Sequence, residues 1–418
     1  MTVEEAVEAA GGRLGQRLEI LKGISARREW LERTLFSPAA EEAAERISKW
    51  MKEAGLVVRQ DALTNVIGLC PGAEKEPEAP RIHLGSHYDT VINAGAYDGA
   101  LGVLLAIGVV EAIRDAGLPL RHPLGALAFC DEEGVRFQTT FLGSAYLSGQ
   151  FEKVWLHKAD ERGKTLGEWL VERAESIDEL LAAEPVIRPR DCFLEAHIEQ
   201  GPVLEAGGRG LGVFTRISAQ TRAEVELSGR AGHAGTTPAR LRRDPLPVAC
   251  AMVRSVEALC RSDERMRATV GRFEVSPNAV NVIPGRVRFT VDLRFPEAEG
   301  LRSRRNGLRR GMEAMAEQQG MEFHYRQNLW ADDVSLDERA TEALAGACGR
   351  AEGKEALRIC SGAGHDSMMV ARVCPTGMLA VRCREGLSHH PEEFVTEADY
   401  RLALKAMVEA VLRLDRKM

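Results

Sequence analysis

Three short apolar runs in this chain each end on residues that a protein core rejects. Arg81–Ser86 reads as a strand that ends at His87, Pro123–Cys130 ends at Asp131-Glu132-Glu133, and Cys192–Ala196 ends at His197. Between the first two lies Gly99–Ala116, whose Leu, Val and Ile residues have helical spacing. Strand, helix and strand in succession predict an α/β layer with parallel pairing. In open sheets of that kind, ligands bind beyond the carboxyl ends of the strands. The polar residues stand at those ends.

A second texture interrupts the first. At 418 residues the chain exceeds the size at which one core usually keeps growing, so two domains are expected. Near Gly207–Gly212 the pattern changes to alternation, as in Ala223–Gly229 and Arg286–Arg294, with helix-like stretches over Pro245–Arg261 and Glu297–Gln319. Two helices on an antiparallel sheet would make an α+β module of the ferredoxin-like kind. The α/β texture returns near Leu329 and ends in an amphipathic helix over Glu397–Arg413. The expected division is therefore 1–211 with 329–418, and an inserted domain over 212–328. One further helix, acidic on one side, is expected over Leu166–Ala183.

Charge and cysteine usage narrow the function classes. A net charge of −7 opposes a nucleic-acid partner, which wants a basic stripe; the basic runs Arg240–Arg243 and Arg302–Arg310 read as solvated faces. Gly102–Val110, the longest apolar run, is too short to span a bilayer. The acidic start, Met1-Thr-Val-Glu-Glu, lacks the apolar stretch of a signal peptide. Nine cysteines with no Cys-x-x-Cys pair predict reduced thiols, packed as small hydrophobes, in a cytoplasmic protein.

Five segments hold candidate metal ligands: Gly85–Thr90 with His87 and Asp89, Tyr97–Gly99 with Asp98, Asp131–Gly134, Glu195–Gln200 with His197, and Leu387–Glu392 with His389 and His390. Imidazole and carboxylate ligands suit zinc, cobalt, nickel or manganese, and an open position on such a site activates water. A ligating histidine usually gives its second N–H to a carboxylate, which is the sense of His87-x-Asp89. Of two adjacent acids such as Glu132-Glu133, one can bind metal while the other acts as general base. Any one of these segments alone reads as surface decoration. Their combination does not.

Together with His197–Gly201, His233–Pro238, Asn281–Gly285 and Gly362–Asp366, these segments resemble the M20 metallohydrolases, and within them the hydantoinase/carbamoylase amidases. That branch includes N-carbamoyl-L-amino-acid hydrolases, allantoate amidohydrolases and two-metal β-ureidopropionases. The resemblance runs from about Gly55 to the C-terminal helix. It implies a zinc-peptidase-like catalytic domain, a mixed sheet flanked by helices, with an inserted ferredoxin-like dimerisation domain. It implies two divalent ions per subunit, bridged by Asp98, with His87 and His197 completing one site and Glu133 and His389 the other. Glu132 would be the general base and Asp89 the partner of His87. His233, lent across a homodimer, would stabilise the oxyanion. Gln200, Arg222, Asn281, Arg294 and the backbone of Gly364 would bind a small ureido acid, with Arg294 clamping its carboxylate.

Three positions depart from the family pattern: Thr221, where some relatives place an arginine, Ala239, where methionine is common, and His390, where Asn or Ser is common. His389, directly after Ser388, is the expected ligand. His365 and Asp366 are read as shaping the pocket, and Cys130 as packing. The plain alternatives are a buried turn histidine for His233 and a structural salt bridge for Arg294. Asn93–Asp98 and Pro277–Asn281 resemble the allantoate branch. An aminoacylase or dipeptidase is the competing enzyme class, against which the imidazole of His197 counts; a non-catalytic binding protein should have lost a ligand.

Overall fold

In a computed structural model, which describes residues 1–73, 78–174 and 176–418, the chain divides into two compact units. Met1–Thr215 and Ser335–Met418 form the larger, and Arg216–Val334 the smaller. The strand Leu211–Ile217 begins in the larger unit, and Glu322–Ala331 belongs to the sheet of the smaller. The divisions therefore fall later along the chain than the changes of texture.

The larger unit is built on a mixed sheet. Among the described residues, seven of its nine strands run in the order Val57–Gln60, Val66–Leu69, Leu124–Phe129, Ile82–His87, Cys192–Ile198, Thr376–Val381 and Leu211–Ile217. The middle four are parallel, whereas Val66–Leu69 and Leu211–Ile217 join them antiparallel. Every residue of those four is buried, as continuous apolar strands require when helices cover both faces. Helix Ala100–Asp115 is buried from Ala100 to Ile113. It lies so close to the sheet that a Cβ on Gly102 would meet the Ala196 carbonyl oxygen at 2.2 Å and Ser86 Cβ at 2.6 Å. That approach seats the helix start beside the ends of two strands. Helix Val3–Gly23 is tied to it by Arg13 and Arg17, each 2.8 Å from the buried carboxylate of Glu111.

The smaller unit has an antiparallel sheet in the order Phe273–Ser276, Arg286–Phe295, Ala219–Ser228 and Glu322–Ala331, with Arg267–Thr269 also on Arg286–Phe295. Burial alternates along its two central strands. Val225, Leu227, Phe289, Val291 and Leu293 share a core with Met252 and Val256 of helix Pro245–Arg261 and Leu301 and Met312 of helix Ala298–Gln318. The opposite face is polar and pairs Glu224 and Glu226 with Arg272, Arg288 and Arg326.

The single helix expected over Leu166–Ala183 is two, Leu166–Val171 and Ile177–Ala182. Thr165 caps the first and Ser176 the second, each side chain accepting a backbone N–H. A serine that bonds the backbone in this way starts a helix instead of continuing one. Among the described residues no helix is long and apolar enough to cross a membrane.

Candidate metal centre

Asp98 lies at the middle of a cluster in the larger unit. His87 ends one strand, His197 lies near the end of another, and Glu132-Glu133 follow Leu124–Phe129. Asp98 adjoins Gly99, the N-cap of helix Ala100–Asp115, and His389 comes from the loop after Thr376–Val381. Asp98 Oδ1 is 3.4 Å from His87 Nε2 and 3.1 Å from His197 Nε2. Its Oδ2 is 3.2 Å from His389 Nε2, which is itself 3.3 Å from Glu133 Oε1. Two ligand triads result, His87–Asp98–His197 and Asp98–Glu133–His389. Charged N–H···O bonds would be about 2.7–2.9 Å long. Atoms on one tetrahedral zinc, each about 2.0–2.2 Å from the ion, stand roughly 3.3 Å apart. Three of the four separations lie closer to the second figure, and that of His197, at 3.1 Å, falls between the two. Asp98 Oδ1 is moreover buried without a hydrogen bond, and a buried carboxylate oxygen left so is costly unless a cation completes it. The residues fit a pair of metal ions.

The surroundings aim these ligands. His87 Nδ1 faces the Asp89 carbonyl oxygen at 3.2 Å and His197 Nδ1 the Ile198 carbonyl oxygen at 2.9 Å, so each Nε2 is left for Asp98. The Asp89 carboxylate is farther from His87 Nδ1, at 3.5 Å. It accepts instead the backbone N–H groups of Glu132 and Glu133, at 3.1 and 3.2 Å, and so fixes the acidic turn. Asp131, His389 and Gln200 all have positive φ, 52°, 55° and 57°. Strained backbone of that kind persists where the surroundings enforce it. Gly99, at φ 64°, has no room for a side chain: a Cβ would lie 2.4 Å from the His87 ring.

Electrostatics point the same way. Burial works against the charge of Asp98, but His197, His389 and His87 outweigh it and hold the carboxyl well below its usual range. Asp98 and Glu133 push His389 up to about 10. Despite burial, Asp89 and Asp98 raise His87, and Asp98 raises His197. These are the marks of a pocket that draws in positive charge. Glu132 is pushed up by burial, as befits a group that trades protons. The two triads differ in access: the side chains of His87 and His197 are 2% exposed and that of His389 49%.

Residues 83–413 match the model of peptidase family M20/M25/M40. The chain belongs to that family. Over 413 residues the M20 chain is 37% identical to "Allantoate deiminase 1" of Glycine max, covering 92% of this chain and 85% of that protein. It is 35% identical over 387 residues to "N-carbamoyl-L-amino-acid amidohydrolase" of Pseudomonas sp. (strain NS671), covering 92% and 93%. Among solved structures it is similar to a hydantoinase/carbamoylase family amidase from Burkholderia multivorans, with a TM-score of 0.89 and 33% identity over 96% of this chain and 97% of that one.

The larger unit of the M20 chain thus gathers His87, Asp89, Asp98, Glu132, Glu133, His197 and His389, and brings Gln200 to them. Gln200 Nε2 donates to Asp98 Oδ2 at 2.8 Å. His390 is in neither triad, and its Nδ1 accepts the Glu392 N–H. Glu195, His197 and His365 also offer three clustered ligand atoms. The Glu195 oxygens, however, already accept from Ser86 and Ser367, and His365 Nε2 lies 2.6 Å from Ser361 Oγ. The Gly364 backbone packs against Phe141, whose ring a Cβ would meet at 2.7 Å.

The other named residues lie in the smaller unit. Asn281 gives its carbonyl to the Ala234 N–H beside the short ladder of His233 with Val282. His233 is exposed, and its Nδ1 accepts the Gly235 N–H, which leaves Nε2 to carry the proton. Arg222 and Arg294 both bond Asp292. Sequence reading missed two members of the centre. Ser388 donates to Asp98 Oδ2 at 2.7 Å, and Glu393 accepts the N–H groups of Tyr97 and Asp98. Ser388 stood inside a flagged segment; Glu393 was one acid among several.

Proposed function

We propose that the chain is a dinuclear-metal amidohydrolase that cleaves the C–N bond of a ureido or N-carbamoyl group on a small carboxylic acid. The observation that carries this reading is the sharing of the two Asp98 oxygens between separate ligand triads. The names of the relatives, an allantoate deiminase and an N-carbamoyl-L-amino-acid amidohydrolase, supply the substrate class.

His87, Asp98 and His197 would hold one divalent ion and Asp98, Glu133 and His389 the other, whether zinc, manganese, cobalt or nickel. When bound, such ions acidify water and polarise a carbonyl. Glu132 takes the proton from the attacking water. It then delivers that proton to the nitrogen whose bond to the carbonyl carbon breaks. For a carbamoyl amino acid the products are ammonia, carbon dioxide and the amino acid. His233 would donate Nε2–H to the developing oxyanion. Gln200, Asn281, Arg222, Arg294 and the Gly364 backbone would bind the substrate, with Asp292 holding both guanidiniums ready for its carboxylate.

The smaller unit, residues 212–328 in the sequence reading, is taken as a ferredoxin-like dimerisation module. Its strand order, with helices following Ala219–Ser228 and Arg286–Phe295, supports this. In the homodimer His233 would serve the partner's centre. Nine scattered cysteines with no Cys-x-x-Cys pair fit a cytoplasmic protein.

The test is ammonia release from allantoate and from N-carbamoyl-methionine, beside a dipeptide, with and without EDTA. We expect chelator-sensitive release from one or both ureido acids and none from the dipeptide. Cleavage of the dipeptide alone would move the chain to the peptidase side of the family, and release indifferent to EDTA would remove the ions from the chemistry.

A further inference from the structure

The loop that supplies His389 grips the Asp98 turn at a second place. Glu393 is 4% exposed. Its Oε1 accepts the backbone N–H groups of Tyr97, at 2.8 Å, and Asp98, at 3.0 Å. The carboxylate sits where residue 95 has no side chain: a Cβ on Gly95 would lie 2.3 Å from Glu393 Cβ and Cδ. Glu393 is itself fixed, its N–H donating to the His390 carbonyl oxygen at 3.0 Å. Ser388, at the other end of the same loop, bonds Asp98 Oδ2. Residues 388–393 therefore hold Asp98 by both backbone and side chain while presenting His389 to it.

We propose that Glu393 is a positioning residue of the centre, resting on the two-metal reading above. By fixing the Asp98 backbone it keeps one carboxylate oxygen toward each triad, and it couples the loop of His389 to the turn of Asp98. The triad of His389 depends on it most, because that imidazole, 49% exposed, comes from the same loop as Glu393. Without the Glu393 oxygen, two buried N–H groups lose their acceptor and the turn swings toward another one.

The experiment is competitive titration of chelator-stripped protein with zinc alone against a fluorescent chelator, for wild type, Glu393→Ala, Glu393→Gln and Gly95→Ala. Wild type should bind two ions. Glu393→Ala should weaken the looser ion by about 10- to 100-fold, the usual effect of losing a group that orients metal ligands. Glu393→Gln retains a carbonyl oxygen for both N–H groups and should recover most of that affinity. Gly95→Ala, which leaves every polar group in place but displaces the carboxylate, should weaken the same ion, and it serves if Glu393→Ala does not fold. At saturating zinc Glu393→Ala and Gly95→Ala should lose kcat with KM nearly unchanged, and Glu393→Gln should keep most of it. Wild-type affinity for both ions in Glu393→Ala or Gly95→Ala would overturn the positioning role and leave the metal centre standing. Failure of wild type to bind zinc would instead overturn the metal centre.

Discussion

Single side chains decide the chemistry, and the acid pair shows how. Glu132 and Glu133 hang from the same Asp89 carboxylate, yet only Glu133 reaches His389. Glu132→Gln should therefore lower kcat by about 10²- to 10⁴-fold, the range for a lost general acid–base, with zinc stoichiometry unchanged by elemental analysis. Metal loss in that variant would exchange the roles of the two acids. Gly99→Ala meets both a positive φ and the His87 ring; it should cost more than about 1 kcal/mol in urea unfolding and weaken zinc binding as well. The ligand types were legible in the sequence because His, Asp and Glu at apolar strand ends have few other reasons to be there. What each atom bonds was not. His87-x-Asp89 signals a contact, but the spacing does not reveal that the carboxylate serves the acidic turn while the backbone carbonyl serves the imidazole. Glu393 was illegible for a different reason: its partners are backbone N–H groups nearly 300 positions away, and backbone groups leave no mark in a sequence.

At the scale of elements, the apolar strands and the helix after Asp98 could be read because burial on every side leaves continuous apolar runs. Leu166–Ala183 was misread because helical spacing persists across Ser176, and only the serine's bond to the Glu179 N–H shows that a new helix begins. Packing between helices adds what periodicity cannot. Glu111 lies within an apolar helix, 2% exposed, and answers Arg13 and Arg17 from helix Val3–Gly23. Glu111→Ala should destabilise the fold by about 3–5 kcal/mol, because it strands the buried Arg17 without a full partner. Thermal and urea unfolding would measure this, and a loss below about 1 kcal/mol would mean that Glu53, 3.8 Å from Arg17, takes over the pairing.

The whole molecule should respond to pH through the same centre. Without an ion, His389 is held near 10 against an ordinary 6.5. That stabilisation is fully present below 6.5 and fades as pH rises through 10. Zinc needs the imidazole neutral, so its binding should expel protons and weaken on acidification. Calorimetry in buffers of different ionisation enthalpy would count those protons, and zinc affinity that is flat between pH 8 and pH 6 would contradict the account. The division into two units was legible as a change of texture, but its edges were not, because a strand that leaves one unit looks the same as it enters the next. The place of Thr376–Val381 between Cys192–Ile198 and Leu211–Ile217 has a consequence for biosynthesis. As the chain leaves the ribosome, the strand bearing His197 must wait, one flank unpaired, until some 180 further residues have emerged. A nascent chain halted before Thr376 should therefore expose a bare parallel edge, the kind that chaperones shield and that aggregates recruit.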